Sequence, residues 1–105
     1  MKDFKKIIWL EYAEDDLNQI YNYILADSLY YATKTATEIV NKIDYISNFP
    51  YMGRKVQLYN VSNIREIIYK SYKIIYEINS NVIYIHRIFH SSRVFSNSIL
   101  KIKFL

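Results

Sequence analysis

The chain contains one proline and one glycine, Pro50 and Gly53, and the spacing of its apolar residues changes period across them. Before that mark apolar residues recur every three to four positions; after it they alternate. A period near 3.6 buries one face of a helix, and a period of two buries one face of a strand. The chain must therefore pack a helical half against a sheet half. Its 105 residues hold one domain, 1–105, with no room for a second core. A single pair of breakers also leaves no linker.

In the first half, Ala13, Leu17, Ile20, Tyr21, Ile24 and Leu25 line one helix face, and Glu14, Asp15, Asp16, Asn18, Gln19 and Asn22 are assigned to the other. The three acids also stand where a helix N-terminus favours negative charge. A break follows at Ala26-Asp27-Ser28, where Asp27 or Ser28 can cap the next helix. Ala32, Ala36, Ile39, Ile43 and Ile46 then form a narrow 4-3-4-3 seam, expected to be core. The two stripes predict an antiparallel helical hairpin. The second helix should stop before Pro50, because the residue preceding a proline is pushed out of the α region. At the joint, Gly53 is expected to supply a positive φ and Arg54 to be exposed.

Beyond the joint, Tyr72, Ile74, Tyr76 and Ile78 alternate with Lys73, Ile75, Glu77 and Asn79, the pattern of a strand. Strands over Ile64–Tyr69 and Val82–His90 flank it, joined through Lys70-Ser71 and Asn79-Ser80-Asn81 by two tight hairpins. In the last strand Ile83 and Ile85 fall on one phase and Ile88 on the other, which predicts a bulge near His86-Arg87 that re-aims Arg87 or His90. An opening strand over residues 6–10 completes a β-α-α-β-β-β order. The expected class is α+β, a helical hairpin packed on a small, mainly antiparallel sheet. Residues 92–105 fit neither period and are read as a short helix followed by an extended end.

Charge divides along the same line. Residues 1–50 carry five Lys/Arg against eight Asp/Glu, and residues 51–105 carry nine against two, leaving −3 and +7. Such asymmetry predicts a basic face, open to nucleic acid, acidic protein segments or anionic lipid. The absence of cysteine excludes a disulfide framework and a thiolate metal site, and it fits a reducing cytosol. The apolar run from Ile7 to Leu10 is too short for a signal or a membrane span, so a cytoplasmic location without membrane attachment is expected. His86 and His90 share a strand face at a His-x-x-x-His spacing but lack further ligands, and there is no Gly-rich loop. Neither a metal nor another cofactor is expected.

Four segments, AEDDLNQIYNYI, NFPYMGR, NIREIIYKSYKIIYEI and VIYIHRIFHSSR, occur in an order and spacing that resemble the RelE/ParE superfamily of type II toxin–antitoxin toxins. The resemblance covers nearly the whole chain. Its Phe-Pro-x-x-Gly-Arg joint and terminal His-x-x-Arg are most similar to the ParE branch. Such a resemblance implies a growth-inhibiting toxin, neutralised by a cognate antitoxin that wraps an extended, acidic segment around it in a hetero-oligomer. ParE-like relatives poison DNA gyrase through protein contacts and need no chemistry of their own. RelE-like relatives cleave mRNA on the ribosome, which makes an endoribonuclease the alternative. A non-toxic RNA-binding or interaction module is the remoter one, although no RNP-like or GXXG motif is present.

Cleaving RNA requires groups that activate a 2′-hydroxyl, stabilise a pentavalent phosphate and protonate the leaving oxygen. The candidates are Lys73, where the resemblance places an arginine in nucleolytic members, together with Arg65, Arg87, His90 and Arg93. Against that reading, Ser91 stands where nucleolytic relatives carry an arginine, and no tyrosine follows Arg93. The same five residues and Arg54 are the candidates for contact with the target or the antitoxin. Each has a plainer role to set beside this one. His90 can be a packing residue at a strand end, and Arg65 can pair with Glu66 or Glu77 across the sheet. Arg87 and Arg93 form a concentrated charge that the fold is not expected to require.

Overall fold

A computed structural model describes residues 5–56 and 63–92. Arg93 and the expected helix and extended end over 93–105 lie outside the described residues. The order is β1 (Lys6–Trp9), α1 (Glu11–Leu25), α2 (Leu29–Asn48), β2 (Arg54–Lys55), β3 (Ile64–Tyr69), β4 (Tyr72–Asn79) and β5 (Val82–His90). The strands form one sheet in the order β1-β5-β4-β3-β2. β1 runs parallel to β5 and the remaining pairs are antiparallel, so the sheet is mixed and mainly antiparallel as expected. The two-residue β2, at the joint, adds a strand to the order read from the sequence.

The helical hairpin lies on one face. Ala13 of α1 and Ile39, Ile43 and Ile46 of α2 are fully buried against Ile67, Ile74, Tyr76, Ile78, Ile83, Ile85 and Ile88 of the sheet. The seam is core at Ala32, Ile39, Ile43 and Ile46, while Ala36 is half-buried. Between the helices, Ser28 is the cap: its hydroxyl accepts from the Tyr31 N–H at 3.1 Å. α2 ends at Asn48, as the following Phe49-Pro50 pair requires. The expected bulge is present. Ile75 faces Arg87 and Tyr76 faces Ile85, so His86 is the extra residue on β5. That one insertion lets Ile83 and Ile85 before it and Ile88 after it all reach the same core. Both hairpins turn on two residues, with Lys70 and Ser80 at φ 52 and 57.

Two expectations about the helices and the joint need correction. Asp16 does not join Glu14 and Asp15 on the exposed face, since it is buried beside Ala13. Gly53 does not adopt a positive φ. Its lack of a side chain serves a close approach instead: a Cβ there would lie 2.6 Å from the Glu66 carbonyl oxygen and 2.6 Å from the Tyr76 hydroxyl.

Candidate functional site

α1 begins immediately after β1, whose last link to β5 is the Leu10 N–H donating to the Ile85 carbonyl at 3.0 Å. Beyond that point β5 runs past β1, and α1 lies alongside its edge. Asp16 fills the gap. One carboxylate oxygen accepts from Arg87 Nε at 2.7 Å and from the Ile88 main-chain N–H at 2.9 Å; the other accepts from a terminal Arg87 nitrogen at 2.9 Å. The guanidinium also lies 5.5 Å from the centre of the Tyr12 ring. The Asp16 carboxylate holds the Arg87 pKa above its ordinary value, against the opposing effect of burial. Asp16 and Arg87 are 7% and 8% exposed. Arg87 is therefore a structural tie between α1 and the sheet. This corrects the expectation that the fold does not require it: the bulge at His86 aims it at an acid 71 residues earlier in the chain.

His90 closes β5 and is exposed. Its Nδ1 lies 2.8 Å from the Ser92 hydroxyl, and its ring meets Tyr72 edge-on at 5.7 Å. With Tyr72, Ile88 and Phe89 it borders an open cleft of about 500 Å³, closed on the other side by Asp16, Gln19, Ile20 and Tyr23 of α1. Lys73 does not share this cleft. It is the cross-strand partner of Phe89 and Ile68, whereas His90 is the partner of Tyr72. Consecutive strand residues point to opposite faces, so Lys73 and His90 project from opposite sides of the sheet.

The joint carries the other arginines. Tyr76, at β4, reaches under it: its hydroxyl accepts from the Gly53 N–H at 2.9 Å and donates to the Pro50 carbonyl at 2.8 Å. Burial pushes the Tyr76 pKa above its ordinary value, partly opposed by the Gly53 N–H. Arg65, the cross-strand neighbour of Tyr76, donates to the carbonyls of Gly53 at 2.7 Å and Tyr51 at 3.2 Å, and its guanidinium lies 5.0 Å from the Tyr51 ring centre. The expected pairing of Arg65 with Glu66 or Glu77 is thus replaced. The alternation of the strand sends Arg65 toward the joint and Glu66 to the other face, where Glu66 pairs with Arg54. Glu77 instead takes the bulged His86, whose Nε2 lies 2.8 Å from it. Arg54 is exposed, as expected, with 73% of its side chain accessible despite the ion pair.

The five candidates among the described residues do not converge. Arg65 and His90 share a face but face β4 residues four apart, roughly 13 Å along the strand. Lys73 is on the reverse side, and Arg87 is consumed by Asp16. The residues that sequence reasoning missed are Asp16 and Tyr76. Asp16 follows Ala13 by three and precedes Ile20 by four, the spacing of the buried stripe, and an acid on such a stripe signals a buried partner. Nothing in the sequence marks Tyr76 among the chain's twelve tyrosines. Among the described residues no group of three or more His, Asp or Glu side chains could hold a metal ion.

Comparison with known proteins agrees with this architecture. The family model of the ParE toxin of type II toxin-antitoxin system, parDE, matches residues 7–95. The fold is similar to that of a chain from the chromosomal ParDE toxin–antitoxin system of P. aeruginosa, with a TM-score of 0.69 and 20% identity over 84% of this chain and 97% of that one. It is also similar to a chain of the toxin-antitoxin complex RelBE2 from Mycobacterium tuberculosis, with a TM-score of 0.56 and 18% identity over 83% of this chain and 98% of that one. No curated protein sequence matches.

Proposed function

The chain belongs to the ParE toxin family of type II toxin–antitoxin systems, and we propose that it inhibits growth by trapping the DNA-cleavage complex of gyrase through protein contacts, without chemistry of its own. The observation that carries this reading is the dispersal of the candidate catalytic groups among the described residues. General acid–base cleavage of RNA needs its acid, base and phosphate clamp within hydrogen-bonding reach of one site. Here Lys73 and His90 leave opposite faces of the sheet, and the Arg87 guanidinium is already engaged by a carboxylate. Poisoning an enzyme requires only a surface. Fold alone does not fix a target, which is why the arrangement of side chains bears the weight.

A cognate antitoxin is the natural partner, since both similar structures come from toxin–antitoxin systems. An extended acidic segment suits the charge of residues 51–105. The cleft between α1 and the end of β5, with exposed Tyr23 and His90 on its rim, offers such a segment both apolar and polar contacts. The reading places the protein in the cytoplasm, and no described helix is long and apolar enough to cross a membrane.

The test is to mix purified protein with gyrase and supercoiled plasmid and to score linear DNA, beside a cleavage assay on mRNA with translating ribosomes. Gyrase-dependent linear DNA with intact mRNA is the expected result. Cut mRNA without linear DNA would overturn the proposal and return Lys73 and His90 to catalysis.

A further inference from the structure

The joint between helices and sheet exposes an aromatic ring beside unneutralised cations. Tyr51 is 65% exposed although it sits in a turn fastened at several points: Tyr76 holds Pro50 and Gly53 from below, and Arg65 holds the carbonyls of Tyr51 and Gly53. Those bonds hold the backbone of the turn, and the Arg65 guanidinium, 5.0 Å from the ring centre, holds the ring itself from one side; a ring so held loses little entropy when a base stacks on it. Lys55 is the direct cross-strand partner of Arg65, so two positive side chains stand side by side on one face of the β2–β3 ladder. Like charges in that position destabilise a sheet. Among the described residues neither is within ion-pair distance of a carboxylate; the nearby Glu66 lies on the other face and is taken by Arg54. The pair is a place for an anion, next to a ring held for stacking.

We infer that this joint binds single-stranded nucleic acid, with a phosphate between Lys55 and Arg65 and a neighbouring base on Tyr51. Stacking on aromatic rings combined with backbone charge is how sequence-tolerant single-strand binding works. An acidic peptide satisfies the two cations but leaves the ring unused. A duplex satisfies the cations as well, while its bases remain stacked on one another. The inference does not depend on the gyrase reading, because its test contains no gyrase.

The experiment is fluorescence anisotropy of labelled dT12 titrated with the full chain, with a 12-base-pair duplex and a deca-glutamate peptide as competitors. Single-stranded DNA should bind more tightly than either. Tyr51→Ala should weaken it about 5-fold or more, the loss of one stacked base, and Tyr51→Phe should leave it nearly unchanged. Lys55→Ala should weaken it as well. Lys34→Ala, which removes the same charge from the other end of α2, roughly 20 Å away, should not. Circular dichroism confirms that each variant is folded. Binding by folded Tyr51→Ala equal to that of the parent, equal losses for Lys34→Ala and Lys55→Ala, or equal competition by the deca-glutamate would each overturn the assignment.

Discussion

Arg87 and Asp16 show how one side chain decides what another can do. The pair is buried, and its value lies in the penalty for breaking it. Removing one partner leaves an uncompensated charge, which typically costs about 3–5 kcal/mol, whereas replacing both with apolar groups of similar size is often neutral. Asp16→Ala should therefore lower the unfolding free energy, measured by urea titration, by that amount, and Asp16→Leu combined with Arg87→Met should recover part of the loss, the Ile88 N–H remaining without its acceptor. If the single change were as mild as an ordinary surface substitution, the pair would not be the tie between α1 and the sheet. Tyr76 is the second such residue. Tyr76→Phe leaves the Gly53 N–H and the Pro50 carbonyl without their partner, an expected loss of about 1–3 kcal/mol at neutral pH. Because burial raises the folded-state pKa of Tyr76 above the unfolded value, its proton is held more tightly by the folded chain. That contribution is complete below about pH 10 and is lost as pH rises through the folded value. The stability gap between parent and Tyr76→Phe should thus narrow in urea titrations taken at increasing pH above 10. Gly53→Ala should destabilise by about 1–3 kcal/mol through the contact of its Cβ with the Glu66 carbonyl.

At the scale of the element, the hairpin is closed by a cap that one hydroxyl provides. Ser28→Ala should cost about 1 kcal/mol in thermal or urea unfolding, while Asp27→Ala, which removes no cap, should cost much less. The elements themselves were legible in the sequence because each rests on local periodicity: both helices, the three long strands, the two hairpins and even the bulge at His86 follow from apolar spacing. What was not legible depends on long-range geometry. β2 is two residues long and carries no period of its own. The partner of Asp16 lies 71 residues away, and the partner of Arg65 depends on which face of β3 it occupies. Gly53 signalled a special backbone position correctly, but close approach and positive φ leave the same mark in a sequence, and only the fold distinguishes them. The candidate site shared this fate. Lys73 and His90 are individually plausible reactive groups, and their separation is a property of register across β4 and β5.

For the whole molecule, that separation makes a sharp statement about activity. If toxicity arises from a surface pressed against gyrase, no proton transfer by Lys73 or His90 is needed. The combined substitution Lys73→Ala with His90→Ala should then still arrest growth on induction and still yield gyrase-dependent linear DNA. A ribonuclease would behave otherwise, since losing its acid–base groups typically reduces the rate by about 100-fold or more. A simple reduction in abundance must be kept apart from loss of function, because any destabilised variant also weakens growth arrest. Asp16→Ala supplies that comparison: it should reduce growth arrest in proportion to the soluble toxin remaining, measured by immunoblot. Growth arrest lost by the double substitution at normal abundance would mean that the two faces of the sheet act together on a substrate large enough to wrap β4 and β5. RNA on the ribosome would then become the target to pursue.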